Sequence, residues 1–300
     1  MSYPTDFEQA MAAHYGPCDF PIVPDGKIHR FRVPADKPGS RNGWYVLREF
    51  RSTGIAYATF GSWKDGGLYN WSSREPRDHR EAAAVAEGRE TAARLLRAEQ
   101  IKRNMAAADS ALSTWRFASA APADHPYLIA KGVQPHNLRL SGFVYEGFDR
   151  RALLVPLIHN GELVNLQRIW PNGDKRFFKG GMVKGCYSLI GTAEPGQPLY
   201  TCEGWATGAT IHEETGHAVA CAMNCGNLLE VGRQLRREHP DAVLIIAGDD
   251  DRQTEGNPGK TAAIKAAAAL GCGLVLPPFP DDAPLNLTDF NDLRQWRANQ

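Results

Sequence analysis

Between Leu199 and Leu276 strand-length apolar runs alternate with helix-length segments, and that rhythm constrains the architecture more than any other feature of the chain. Strands are expected at Leu199 to Cys202, His217 to Met223, Ala242 to Ala247 and Gly273 to Leu276. Helices are expected at Glu203 to Thr215, Asn227 to Glu238 and Pro258 to Leu270. Strands separated by helical crossovers run parallel, so the segment predicts a four-stranded parallel sheet in one compact domain. In open sheets of this kind ligands gather outside the carboxyl ends of the strands. There the chain places Glu203-Gly204 after the first strand and Gly248-Asp-Asp-Asp251 after the third.

Three adjacent carboxylates repel one another, by about 3 kcal/mol per pair for charges about 5 Å apart at an effective dielectric near 20. The run therefore favours a cation. In extended chain, residues i and i+2 point the same way, so Asp249 and Asp251 can share an ion while Asp250 faces elsewhere. Glu203 sits on an adjacent strand end, and three oxygen donors suit Mg²⁺ or Mn²⁺. Two other readings compete. A Glu at a helix start favours the dipole without any chemistry, and Asp runs after strands form turns. Gly204 and Gly248 allow close backbone approach beside the acids. The nearby Gly256-Asn-Pro-Gly-Lys-Thr261 looks like the end of a phosphate-binding loop, but that motif needs glycine at position 254, which is Thr254. Pro258 suits a first helical turn instead, and Lys260 is placed to neutralise the aspartates.

Upstream the rhythm differs. Lys27 to Val33, Gly43 to Leu47, Ile55 to Phe60 and Leu68 to Trp71 are aromatic and β-branched runs bounded by turn residues, which predicts a small antiparallel β module. Exposed Trp and Tyr beside His29, Arg30 and Lys64 would stack on single-stranded bases; alternatively Trp44, Trp63 and Trp71 form the core of that module. From Asp78 to about Trp115 helical spacing of apolar residues predicts one long helix or two in tandem. A short helix closed by Gly132 follows Pro122, and then three strand-like runs (152 to 158, 163 to 170, 175 to 178) separated by Asn-Gly turns. The expected divisions are 1–75 for the β module, 76–120 for the helical linker, 121–195 for a basic α+β subdomain, 196–280 for the parallel-sheet domain and 281–300 for a tail. The fold class is α/β and α+β multidomain.

The chain carries 34 Lys plus Arg against 34 Asp plus Glu, so a nucleic-acid partner must be held by a local patch and not by the whole-molecule field. Such a patch exists: Arg151, Arg168, Lys175, Arg176, Lys179 and Lys184 crowd one stretch. Six scattered cysteines contain no Cys-x2-Cys pair, and Cys221-x3-Cys225 with His217 falls short of a structural zinc set. No apolar run approaches the roughly 20 residues that cross a bilayer, and the start of the chain has no secretory h-region. A cytoplasmic location is expected.

The order of strand, Glu203-Gly204, helix, strand, helix, strand and Asp249-x-Asp251 resembles the Toprim domain, shared by DnaG-type primases, topoisomerases, OLD-type nucleases and RecR-like proteins. Residues 247–260 are similar to the version in phage and plasmid primases, including the conjugative TraC type, as is Asp289-Phe-Asn-Asp-Leu293. The basic stretch and His125-Pro-Tyr-Leu resemble the subdomain that precedes Toprim in DnaG-type enzymes. The zinc ribbon of those enzymes has no counterpart, since no Cys/His set exists to build one. The resemblance implies a DNA primase of a mobile element. Glu203, Asp249 and Asp251 would bind Mg²⁺ or Mn²⁺, and the basic residues with Lys260 would hold single-stranded DNA and NTPs. Lacking a Walker motif, the chain would depend on a helicase in trans or on a longer parent protein. The alternatives are a Toprim nuclease and a non-catalytic DNA- or replication-partner-binding module.

Overall fold

The computed structural model describes residues 3–17, 19–142, 144–145, 148–149 and 151–300. Cys18 lies outside the described residues. The chain forms two compact units, Met1–Lys102 and Arg103–Gln300.

In the first unit, α1 (Tyr3–Tyr15) precedes a four-stranded antiparallel sheet of β1 (Asp25–Phe31), β2 (Gly43–Phe50), β3 (Ile55–Ser62) and β4 (Leu68–Ser72), in that spatial order. The β module is as expected, but α1 was not foreseen. It places Phe7, Met11 and Tyr15 on one face, and all three are buried against Tyr45, Leu47 and Phe60. The tryptophans follow the packing alternative. Trp44 is 3% exposed, Trp71 packs on Phe7 with ring centres 5.3 Å apart, and Trp63 lies 5.6 Å from Trp44. Lys64 is engaged by the buried Asp36 at 2.7 Å and His29 by Asp25 at 2.8 Å. A base-stacking surface made of these residues is not what the fold presents.

One continuous helix, α2 (His79–Phe117), carries the chain into the second unit. There β5 (Ser119–Ala120), α3 (Pro126–Lys131), β6 (Arg139–Ser141), the small ladder β7 (Val144–Tyr145) with β8 (Phe148–Asp149), β9 (Ala152–His159), β10 (Glu162–Ile169) and β11 (Lys175–Phe177) follow. They build an antiparallel sheet ordered β11-β10-β9-β6-β5. The β9–β10 turn has Asn160 at φ 48° and Gly161 at φ 77°, the double left-handed geometry that an Asn-Gly hairpin needs. Helix α3 is closed by Gly132 at φ 60° as expected, and at its start the His125 ring accepts from the Tyr127 amide.

The last sheet contains β12 (Ser188–Ile190), β13 (Pro198–Cys202), β14 (Ala218–Cys221), β15 (Val243–Ala247) and β16 (Gly273–Val275), with α4 (Trp205–Thr215), α5 (Leu228–Glu238) and α6 (Pro258–Leu270) as crossovers and α7 (Phe290–Ala298) last. Its order is β12-β14-β13-β15-β16. The four predicted strands are parallel, and β12 adds an antiparallel edge on β14. A three-residue strand is too short for periodicity to reveal. The expected cuts at 120 and 195 both lie inside this unit, where one apolar cluster joins Leu153, Val155 and Ile169 of the antiparallel sheet to Trp205, Ala209, Val219 and Cys221. The opposite face of the parallel sheet packs Leu199, Leu244 and Ile246 against Val231 and Leu235 of α5 and Ala263 and Ala266 of α6. Among the described residues no helix is long and apolar enough to cross a membrane.

Candidate active site

Strand β13 has β14 on one side and β15 on the other, so the crossovers diverge at its carboxyl end and leave a crevice there. Register decides what borders it. Thr201 pairs with Ile246, so Glu203, two residues on, and Asp249, three residues on, leave adjacent strands at nearly the same height. The Glu203 carbonyl accepts from the Met223 amide, which ties this strand end to that of β14.

The electrostatics show which groups share the space. Burial raises the Glu203 pKa first, and the charges of Asp251 and Asp289 raise it further, against the Cys225 amide and Lys175. Asp249 is pushed up to about 8 by burial, then by Asp289, Glu203, Asp251 and Asp292. Its Oδ1 is enclosed without a hydrogen-bond partner. Burial lowers the Lys175 pKa, opposed by Asp289, Glu203 and Asp249. The predicted triad is thus brought together with Lys175 and a further carboxylate, Asp289.

Asp289 was missing from the sequence-based site list. It caps α7, accepting from the Asp292 amide at 2.8 Å, and its other oxygen accepts from Thr207 Oγ1 at 2.8 Å. Its signal was the resemblance of Asp289-Phe-Asn-Asp-Leu293 to phage and plasmid primases, which assigned no role to the single residue. Tyr127 of α3 also enters: its ring lies 5.4 Å from Lys175 Nζ, its hydroxyl is buried without a partner, and burial followed by Asp289 lifts its pKa to about 12 against Lys131.

The orphaned oxygen of Asp249, with burial and crowding raising the pKa values of Asp249 and Glu203, fits a hard divalent cation, because bringing one in relieves both penalties. Among the described residues no three His, Cys, Asp or Glu side chains already form a ligand set. Glu203, Asp249 and Asp251 would have to rotate their side chains to hold such an ion.

The central member of the aspartate run is engaged elsewhere. Asp250 Oδ1 accepts from Asn257 Nδ2 at 2.7 Å and lies 3.4 Å from Lys260 Nζ, while its amide donates to the Thr288 carbonyl at 2.7 Å. Lys260 accordingly neutralises Asp250 and not the paired acids. Asp251 Oδ2 accepts from the Gly259 amide at 2.8 Å. The glycines act differently from expectation. A Cβ on Gly204 would meet only Thr207 Oγ1 at 3.4 Å, so nothing there requires glycine. At Gly248 it would strike Ala263 at 2.5 Å, a demand of helix packing. Gly259 is the residue beside the acids: its Cβ would meet Asp251 Oδ2 at 2.8 Å and Asp249 Cβ at 3.0 Å.

The basic residues divide between two faces. Lys175 pairs in register with Ile169, whose side chain belongs to the cluster shared with the parallel sheet, so Lys175 points toward the acids. Arg176 pairs with Arg168, Arg168 with Leu154 and Leu154 with Arg139, which makes one cross-strand row on the opposite face. Each arginine lies near a ring, Arg176 by Trp170 at 5.9 Å, Arg168 by Phe178 at 4.1 Å and Arg139 by Trp115 at 4.6 Å. Arg176 and Trp170 border an open hollow of about 440 Å³ with Pro171, Asn172 and Asp174. Lys179 and Lys184 are exposed between β11 and β12, and Arg151 is half-buried just before β9. The segment bearing Lys184 is fixed by buried Asn227, whose Oδ1 accepts from the Gly185 amide at 2.7 Å and whose Nδ2 is shared among the carbonyls of Val183, Cys186 and Ala222.

A family model described as Toprim domain matches residues 198–300, which contain the four parallel strands of this sheet and every carboxylate of the cluster. Residues 198–300 are a Toprim domain. Two Escherichia coli proteins named DNA primase TraC are similar to nearly the whole chain. One is 32% identical over 280 residues, covering 87% of this chain and 25% of its own length. The other is 33% identical over 287 residues, covering 92% and 19%. The chain thus spans a quarter or less of the relatives it matches. Solved structures are more distant: a DnaG primase catalytic domain bound to ssDNA is 15% identical with a TM-score of 0.42, covering 67% of this chain and 78% of that one. An Aquifex aeolicus primase with zinc-binding and RNA polymerase domains is 14% identical with a TM-score of 0.41, covering 99% and 84%.

Proposed function

We propose that this chain is the catalytic core of a mobile-element DNA primase, which joins NTPs into short RNA primers on single-stranded DNA. The observation that carries the reading is the meeting of Glu203, Asp249, Asp251 and Asp289 with Lys175 in the crevice of the Toprim sheet. Similarity to proteins named DNA primase over most of the chain supports this reading over other Toprim chemistries.

Glu203, Asp249 and Asp251 would hold Mg²⁺ or Mn²⁺, which when bound supplies charge neutralisation at the reacting phosphate and activation of the primer hydroxyl. Asp289 completes the negative wall. Lys175, supported by the Tyr127 ring, sets a point charge facing the acids and is the residue to orient the incoming triphosphate. Arg168 and Arg176 lie on the other face, where guanidinium groups beside rings suit a phosphate backbone with stacked bases. Lys179 and Lys184 extend the exposed positive charge. Positioning and preset electrostatics account for most of the catalysis in this reading. Unwinding would come from a helicase in trans or from a longer parent protein.

The test is incubation with single-stranded DNA, Mg²⁺ or Mn²⁺ and labelled NTPs. Labelled oligomers that vanish in Asp249→Ala/Asp251→Ala support the proposal. Cleavage of the DNA without oligomers identifies a Toprim nuclease instead, and DNA binding with neither activity identifies a binding module.

A further inference from the structure

Asn257 makes two side-chain hydrogen bonds more than an ordinary helix cap. It precedes α6, and its Oδ1 accepts from the Lys260 amide at 3.3 Å, the bond a capping residue makes. The same oxygen accepts from the Asp251 amide at 2.9 Å, and Nδ2 donates to Asp250 Oδ1 at 2.7 Å. One amide therefore grips two members of the aspartate run and the start of the helix that supplies the Gly259 amide to Asp251. The backbone at φ 43° is left-handed, a conformation that Asn and Gly tolerate better than other residues.

The chemistry is selective. Ser or Thr could accept from the amides but has no second arm to donate to Asp250, and Asp would face Asp250 with a like charge. Without the Nδ2 bond, Asp250 would lose its firmest tie, leaving Lys260 at 3.4 Å, and would be free to turn toward Asp249 and Asp251.

We propose that Asn257 is the positioning residue that selects Asp249 and Asp251 from the three aspartates, by drawing Asp250 away and fixing the Asp251 amide. The inference rests on the divalent-metal reading of the site given above. Outer partners that orient metal ligands typically change metal affinity by about 10–100-fold when removed.

Three variants separate this role from simple capping. Asn257→Gly keeps the left-handed backbone without a side chain, Asn257→Ser keeps an acceptor but no Nδ2, and Asp249→Ala/Asp251→Ala removes the ligands. Mn²⁺ binding without nucleotide is measured by calorimetry, and exchange of the Asp251 amide by NMR. The expected result is at least tenfold weaker Mn²⁺ binding in both Asn257 variants, with faster Asp251 exchange in Asn257→Gly and an unchanged overall fold by circular dichroism. A capping role alone predicts that Asn257→Ser binds Mn²⁺ within twofold of the parent, and that result overturns the proposal. If the parent binds Mn²⁺ no better than the double aspartate variant, the metal reading fails. Asp251 exchange then decides separately: faster in Asn257→Gly upholds the positioning role, unchanged refutes it.

Discussion

Asp249 shows how one residue links stability to function. Its folded pKa of about 8 lies above the ordinary 3.8, so the folded state prefers the neutral acid. The stability that this preference contributes is fully present below the ordinary value and is lost as pH rises through the folded one. The metal-free protein should therefore lose stability between about pH 4 and pH 8, and Asp249→Asn should make that slope shallower. Thermal melts across this range check it, and an unchanged slope in the variant contradicts it. A second residue-scale prediction concerns Gly259. A methyl there would crowd both ligand aspartates, so Gly259→Ala should lower stability by about 1–3 kcal/mol, as overpacking does, and reduce synthesis at least tenfold. Denaturant titration and a primer assay measure the two effects. Sequence reasoning grouped Glu203, Asp249 and Asp251 from strand ends alone, but missed the roles of the glycines: Gly259 matters through the close approach of the start of α6 to the aspartate loop, which no local pattern states.

Among the elements, the β10–β11 hairpin divides the basic patch. A run of Lys and Arg in sequence looks like one surface, yet a one-residue step in a strand reverses the face. Lys175→Ala should lower NTP-dependent synthesis at least tenfold while leaving single-stranded DNA affinity nearly intact. Arg168→Ala and Arg176→Ala should weaken DNA binding, each reducing the salt slope of the binding constant by about 0.7. Fluorescence anisotropy over a salt series separates the sets, and equal effects from Lys175 and Arg176 contradict the two-face arrangement. The crossover helices of the Toprim sheet were legible because each is long enough to show its period, and α6 matches its expected bounds. Elements that went unread have other causes. The helix α1 shows only Phe7, Met11 and Tyr15 as its buried stripe, and α7 is nine residues long with buried Asn291 and Leu293 held by tertiary bonds. Asn291 Nδ2 donates to the Lys131 carbonyl and to Thr210, contacts more than eighty residues away in sequence.

At the scale of the whole molecule, the second unit stacks an antiparallel sheet on the α4 face of a parallel one through a single apolar cluster, with α5 and α6 covering the far face. That stacking brings Lys175 and Tyr127, from the upstream part of the chain, against carboxylates from the Toprim part. The four parallel strands and their helical crossovers were predictable from rhythm, whereas this meeting depends on how two sheets pack and had no signature in either segment alone. Equal numbers of acidic and basic side chains still leave room for local segregation: Arg168, Lys175 and Arg176 sit on strands, and Glu203 and Asp249 at strand ends. The most direct measurement is primer synthesis on single-stranded DNA with Mn²⁺ and labelled NTPs by the parent protein and by Asp249→Ala/Asp251→Ala. The parent should make labelled oligomers, and the variant should make none while binding DNA with unchanged affinity. Equal synthesis by both proteins, or none by the parent, contradicts the assignment of this carboxylate cluster as the primase active site.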